Sequence, residues 1–194
     1  MFSFDAIVIK KVQVKDSKNV ISLISKEYWK ITAWNKESKT KINLDTWNIY
    51  NFSIKTENKI NKIENFKAKK IIQTSWLWYK EINNILIINS LLEKIIPLNL
   101  IIESIFDDYL KASEYLENKE SNHKIYIFFT LRLLKKIWIC KTPSKSNFSS
   151  NFIKLFSIIE IYNIELLMKI EWISSINLEE IEKYNSDTIS WYIN

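Results

Sequence analysis

A chain of 194 residues without one glycine lacks the residue that takes positive φ at no steric cost. Average usage would supply about 13 glycines over this length, and hairpins and helix ends draw on them first. The same chain holds eight tryptophans, several of them where turn chemistry asks for glycine. Trp29 follows Lys26-Glu27-Tyr28 between two β-type runs, and Trp47 follows Leu44-Asp45-Thr46. Ile, Lys and Asn, residues with A/T-rich codons, make up much of the rest. We expect a low-GC genome in which a stop-type codon encodes glycine and is written here as tryptophan. The alternative is a compositional accident. The coding DNA separates the two, because ordinary Trp codons at all eight positions would end the recoding idea. Trp29, Trp34 and Trp47 are therefore not counted as stacking platforms for bases.

The length fits one large domain or two small ones, with a core that needs no staples. A single cysteine, Cys140, excludes an intramolecular disulfide framework and a multi-cysteine zinc site. No apolar run approaches the roughly 18 residues of a membrane span, and the richest stretch, Ile125 to Leu134, contains Arg132. Asp5 comes early and no apolar signal-peptide core follows. The expectation is a soluble cytoplasmic protein with no membrane partner.

Charge is unevenly spread. Residues 1–75 hold fifteen lysines against seven acids, +8, whereas residues 76–194 hold thirteen Lys/Arg against fifteen acids, −2. A basic half implies an anionic partner; the plainer reading is that an A/T-rich genome places Lys on surfaces.

Residues 4–73 read as strands. Ile7, Ile9, Val12 and Val14 form a β-type run interrupted by Lys10-Lys11, with a turn at Lys15 to Asn19. Val20 to Ile24 and Lys30 to Trp34 are the next two strands. A polar basic segment, Asn35 to Asn43, and a turn at Leu44 to Asn48 come before Ile49 to Ile54 and Lys59 to Ile72. Five strands in about 70 residues predict a small barrel, with the OB-fold as the leading candidate. After Ser75 the period becomes helical: Ile82, Ile85, Leu86, Asn89, Leu92, Glu93 and Ile96 share a stripe that Pro97 stops. Asn99 is placed to cap a second helix running to Leu116. Lys124 to Ile139, apolar almost all round, reads as a central helix. Asn151 to Ile161 and Ile164 to Ile173 follow, and Asn177-Leu178-Glu179-Glu180 has capping-box spacing before a last helix. The predicted class is α+β: an OB-fold nucleic-acid-binding domain over residues 1–75, then an all-α helical bundle over residues 76–194.

Catalytic signals are few. No phosphate-binding or dinucleotide-binding glycine motif is present, and glycine at the eight Trp positions creates none. His123 has no nucleophile and orienting acid pointing to it. Cys140 reads as a small buried apolar residue. Glu103 and Asp107 share a helix face without an evident third ligand. We expect no catalytic residues, no cofactor and no metal.

The basic strand half carries the functional signal. Lys10, Lys11, Lys15 and Lys18 cluster around the first strand and turn; Lys30, Lys36, Lys39 and Lys41 cluster around the third strand and its loop. Lysines so placed neutralise phosphates, with salt-dependent and mostly sequence-independent binding. Lys10, Lys11, Lys15, Lys30, Lys36, Lys39 and Lys41 are the candidate phosphate contacts. Tyr28, Tyr50 and Phe52 are candidate stacking residues, with strand packing as the alternative, favoured for Phe52. A second cationic group, Arg132, Lys135 and Lys136, lies on the apolar helix. Arg132 is the chain's sole Arg. Arg suits planar carboxylate recognition, so Arg132 with Lys135 reads either as a pocket for an acidic peptide tail or as an internal ion pair.

These residues resemble the RecO recombination mediator family over roughly residues 5–140. That family has Glu-X-Gly-Lys at the second hairpin, then a Gly followed by basic residues and Ser. Glu27, Trp29 and Lys30, then Trp34, Lys36, Ser38 and Lys39, stand at these places. Leu131-Arg132-Leu133-Leu134-Lys135-Lys136-Ile137-Trp138 resembles the family's Leu-Arg-Leu-Leu-X-X-X-Gly. Three tryptophans thus fall on family glycines, an independent argument for recoding. The resemblance implies a role in DNA damage repair and DNA recombination. It implies binding of single- and double-stranded DNA, strand annealing and recombinase loading, with RecR and the acidic tail of single-strand-binding protein as partners and no catalytic turnover. Many members carry a four-cysteine zinc site after the Arg-containing helix; with Cys140 alone, no zinc is expected here. The alternatives are a protein–protein adaptor and an RNA-binding OB module.

Overall fold

The computed structural model describes residues 1–15, 18–36, 44–72, 79–96, 104–116 and 122–193. Five strands come first: β1 (Phe2–Lys15), β2 (Lys18–Ser25), β3 (Trp29–Lys36), β4 (Ile49–Glu57) and β5 (Ile60–Lys70). Then come α1 (Tyr79–Ile95), α2 (Ile105–Leu116), α3 (Asn122–Lys136), α4 (Ser150–Ile158), α5 (Ile164–Lys169), a 3₁₀ turn (Glu171–Ser175) and α6 (Leu178–Ile193). The chain divides into two compact units, Met1–Phe106 and Asp107–Asn194. The boundary expected at residues 75–76 lies outside the described residues. Among the described residues no helix is long and apolar enough to cross a membrane.

In the first unit the strands close into a barrel in the order β1-β2-β3-β5-β4. β3 and β5 run parallel and every other pair antiparallel. This is the five-stranded barrel that the strand spacing predicts, and its order is consistent with an OB-fold. Alternation explains the filling. Phe4, Ala6 and Val8 of β1, Ile21 and Leu23 of β2, Ile31 and Ala33 of β3, and Tyr50, Phe52 and Ile54 of β4 meet inside. The opposite face of β1 is also apolar where Ile7 pairs with Ile24 on one side and Ile49 on the other. All three are buried, and α1 packs against β1. β1 does not break at Lys10-Lys11. It continues through irregularities between Val8 and Lys10 and between Gln13 and Lys15, each of which takes up an extra residue.

Five described residues hold positive φ: Trp47 (71°), Asn58 (50°), Lys59 (64°), Ser104 (72°) and Trp138 (63°). Asn58 and Lys59 make the two-residue β4–β5 turn, where positive φ at both positions matches the strand twist. The two tryptophans have no such excuse, since bulky residues in this region are outliers. Trp47 ends a turn whose N–H donates to the Val8 carbonyl at 2.8 Å. Trp138 follows α3: its N–H donates to the Lys135 carbonyl at 3.0 Å and the Ile139 N–H to the Leu134 carbonyl at 3.3 Å. That pair of bonds is the Schellman pattern, which places position 138 where glycine is the usual residue. The Trp138 side chain is 90 % exposed, so burial does not compensate the backbone. Trp29 lacks positive φ; the β2–β3 hairpin turns at Lys26 to Tyr28 and Trp29 already pairs with Ser25.

In the second unit every residue of α3 from Ile127 to Leu134 is buried, the central place its composition predicts. Ile127, Phe128 and Leu131 join Phe152, Leu155 and Ile159, then Leu167, Ile173, Ile176 and Ile181, in one core. Phe148, Phe152, Phe156 and Tyr184 stack edge-on around it, with ring centroids 5.0–6.3 Å apart. The single helix expected over Ile164 to Ile173 is instead α5 and the 3₁₀ turn, divided at Ile170, whose ψ of 117° is extended. The break is followed by Ile173 and Ile176, both in the core. The start of the second helix, Asn99 to Glu103, lies outside the described residues. Asn177 caps α6 by accepting from the Glu179 N–H at 3.1 Å. Glu180, the expected second half of that capping box, turns elsewhere: its carboxylate accepts from the N–H and the hydroxyl of Ser149, both at 2.6 Å.

Candidate nucleic-acid interface

Register assembles the site from three strands. Lys15 pairs with Lys18, and Lys18 pairs with Lys36. One row of the sheet therefore carries a lysine on β1, β2 and β3. Like charges directly opposite one another are destabilising, so such a row favours an anion beside it. The next row of the same face is Val12, Val20 and Trp34, with Val12 and Trp34 exposed. Beyond it comes Lys10, Ser22 and Thr32. Trp34 also pairs with Lys62 of β5. For Lys15 and Lys36 the backbone alone is described, and Lys39 and Lys41 lie outside the described residues. In sequence, the segments 15–18 and 36–41 that meet here hold five lysines against Asp16 and Glu37.

The remaining candidate lysines take other places. Lys11 is half-buried on β1. Lys10 is exposed and ion-paired to Glu93 of α1 at 3.0 Å. Lys30 donates to two main-chain oxygens at the end of α1, those of Glu93 and of Ile96, the second at 3.0 Å. Burial holds the Lys30 ammonium below the usual lysine range, opposed by the Glu93 charge. Lys30 thus satisfies carbonyls that the last turn of a helix leaves open. Lys18, absent from the sequence-derived set, is exposed and sits at the centre of the row. Alternation from Ile21 and Leu23, which face the core, is the signal that assigns it to the outer face.

The aromatic candidates divide. Tyr50 and Phe52 are 3 % and 0 % exposed inside the barrel, so they are core residues and not stacking platforms; inward parity on β4 decides it. Tyr28 is exposed, with its ring 4.8 Å from Phe2 and 5.0 Å from Phe4.

No protein-family model matches this chain, and no curated protein matches it in sequence.

On α3 the Arg132 guanidinium is enclosed by its own unit. Nε donates to Asp108 Oδ2 at 2.7 Å, and Lys136 donates to the same oxygen at 2.7 Å. Arg132 also donates to the Ile159 and Tyr162 carbonyls that follow α4. Burial lowers the Lys136 ammonium while Asp108 opposes the shift. Lys135 donates to the Phe156 carbonyl, lies 3.2 Å from Glu160 and sits 4.6 Å over the Phe156 ring. The internal ion pair is therefore present, and an acidic tail would have to displace Asp108 to reach Arg132. His123 lies 3.6 Å from Glu182. Burial pushes the Cys140 thiol up to about 11, which leaves it protonated and poorly nucleophilic at neutral pH.

Proposed function

We propose that this protein binds nucleic-acid phosphates on the outer face of β1, β2 and β3, as a RecO-like cytoplasmic mediator of DNA repair and recombination that anneals strands and loads recombinase. The observation that carries the reading is the Lys15–Lys18–Lys36 row, three cations in one register line. The barrel order supports it, because OB-folds bind oligonucleotides on the strand 2–3 face. The mechanism is electrostatic capture of the backbone, with counterion release as its driving force and no catalytic step. It leans on the lysines and not on Trp34, one of the positions where glycine is expected. RecR and the acidic tail of single-strand-binding protein enter as partners through the resemblance of residues 5–140 alone.

The test is anisotropy of labelled single-stranded DNA across a salt series. Binding is expected to weaken linearly with log salt, and Lys18→Gln with Lys36→Gln is expected to flatten the slope by about 1.4, roughly 0.7 per lost contact on single strands. An unchanged slope removes those two from the site. No binding by the folded protein at low salt moves the adaptor reading to first place, and tighter binding of RNA of the same sequence makes the barrel an RNA module.

A further inference from the structure

Glu93 stands in the last turn of α1, the helix end at which a negative charge is least favoured. Two cations of the barrel are drawn to that residue. Lys10 of β1 meets its carboxylate at 3.0 Å, and Lys30 of β3 donates to its main-chain oxygen. The two contacts differ in kind. The Lys10 pair is open to water, with the lysine side chain 46 % and the glutamate side chain 26 % exposed; pairs of this sort contribute little and yield to competing ions. Lys30 is bound to carbonyls in a part-buried setting and belongs to the helix cap. Lys10 also occupies the candidate interface, in line with Ser22 and Thr32 and two residues along β1 from Val12.

We propose that the Glu93 carboxylate is a built-in stand-in for a nucleic-acid phosphate at Lys10, and that an incoming backbone must displace it. This rests on the proposed phosphate face. Glu93 then sets the strength of binding without touching the ligand. It lowers affinity for isolated phosphates more than for a polyanion, which engages the lysine row first and reaches Lys10 second. Lys30 stays on α1 throughout, so the helix keeps its place while Lys10 changes partner.

The experiment compares wild type with Glu93→Gln, using labelled oligo-dT from 50 to 300 mM salt. The substitution leaves the main-chain oxygen that Lys30 uses. Glu93→Gln is expected to bind several-fold more tightly at the low-salt end, with a slope steeper by about 0.7, the mark of one additional phosphate contact. Adding Lys10→Gln to it is expected to return the slope to the wild-type value. Glu93→Ala repeats the comparison without an amide. Equal affinity and slope in wild type and both Glu93 variants, while wild type binds, overturns the stand-in and leaves the phosphate face. Absence of binding by wild type and variants alike overturns both.

Discussion

Trp138 concentrates the glycine question in one residue. Its φ of 63° and its two Schellman bonds describe a glycine position, and its ring lies in solvent. Left-handed backbone costs a non-glycine residue about 1–2 kcal/mol. Trp138→Gly is therefore expected to raise the free energy of unfolding by about 1 kcal/mol, seen as a higher denaturant midpoint at unchanged m-value. A lower midpoint would show that the ring carries packing which its exposure does not reveal. Asn89 of α1 is the opposite case, a polar residue with nowhere to bond. It is 3 % exposed, and neither its amide nitrogen nor its oxygen has a hydrogen-bond partner. A buried unsatisfied polar group costs about 1–3 kcal/mol, so Asn89→Leu is expected to stabilise the protein in thermal unfolding.

At the scale of the element, the β4–β5 hairpin is held at its tip by one carboxylate between two lysines. Glu57 pairs with Lys55 at 2.7 Å and with Lys62. These hydrogen bonds, with the lysine charges, hold its carboxyl down at about 2. The folded value lies below the ordinary 4.5, so the contribution is present above that pH and is lost as pH falls through about 2. NMR titration of the Glu57 carboxyl carbon is expected to place its midpoint near 2, and Lys62→Ala is expected to move it up toward 4.5. Strand parity explains what the sequence makes legible here. Simple alternation shows the inward set of β2 and β4. In β1 the extra residues after Val8 and after Gln13 change which face later residues occupy. Nothing in Ile9-Lys10-Lys11 or Val14-Lys15 announces those irregularities, so the line from Lys15 to Lys36 emerges only from the pairing. The fate of Arg132 is hidden for another reason: its carboxylate partner, Asp108, lies 24 residues away on another helix.

Across the whole molecule, chemistry is divided by unit. The first carries the excess of lysine on an open sheet face; the second uses its cations internally. Arg132 and Lys136 both depend on Asp108, with all three side chains at most 12 % exposed. Removing one partner from a buried ion group costs about 3–5 kcal/mol, because the rest stay desolvated and unpaired. Asp108→Ala is expected to lower stability by that amount, with hydrogen exchange quickened in α3 and α4 and unchanged in the barrel strands. Equal quickening in β1 to β5 would show that the two units unfold as one.

The turned-away Glu180 has a consequence for how the second unit is made. Ser149 begins α4, yet its N–H and hydroxyl are bonded by a carboxylate 31 residues later, at the start of α6. During synthesis α4 emerges first and waits with that end incomplete until the last helix arrives. Bringing the two ends together closes a loop before either gains. Order at the head of α4 should therefore appear late, in step with α6, and a nascent chain halted before residue 177 should leave the head of α4 frayed while its middle turns are already helical.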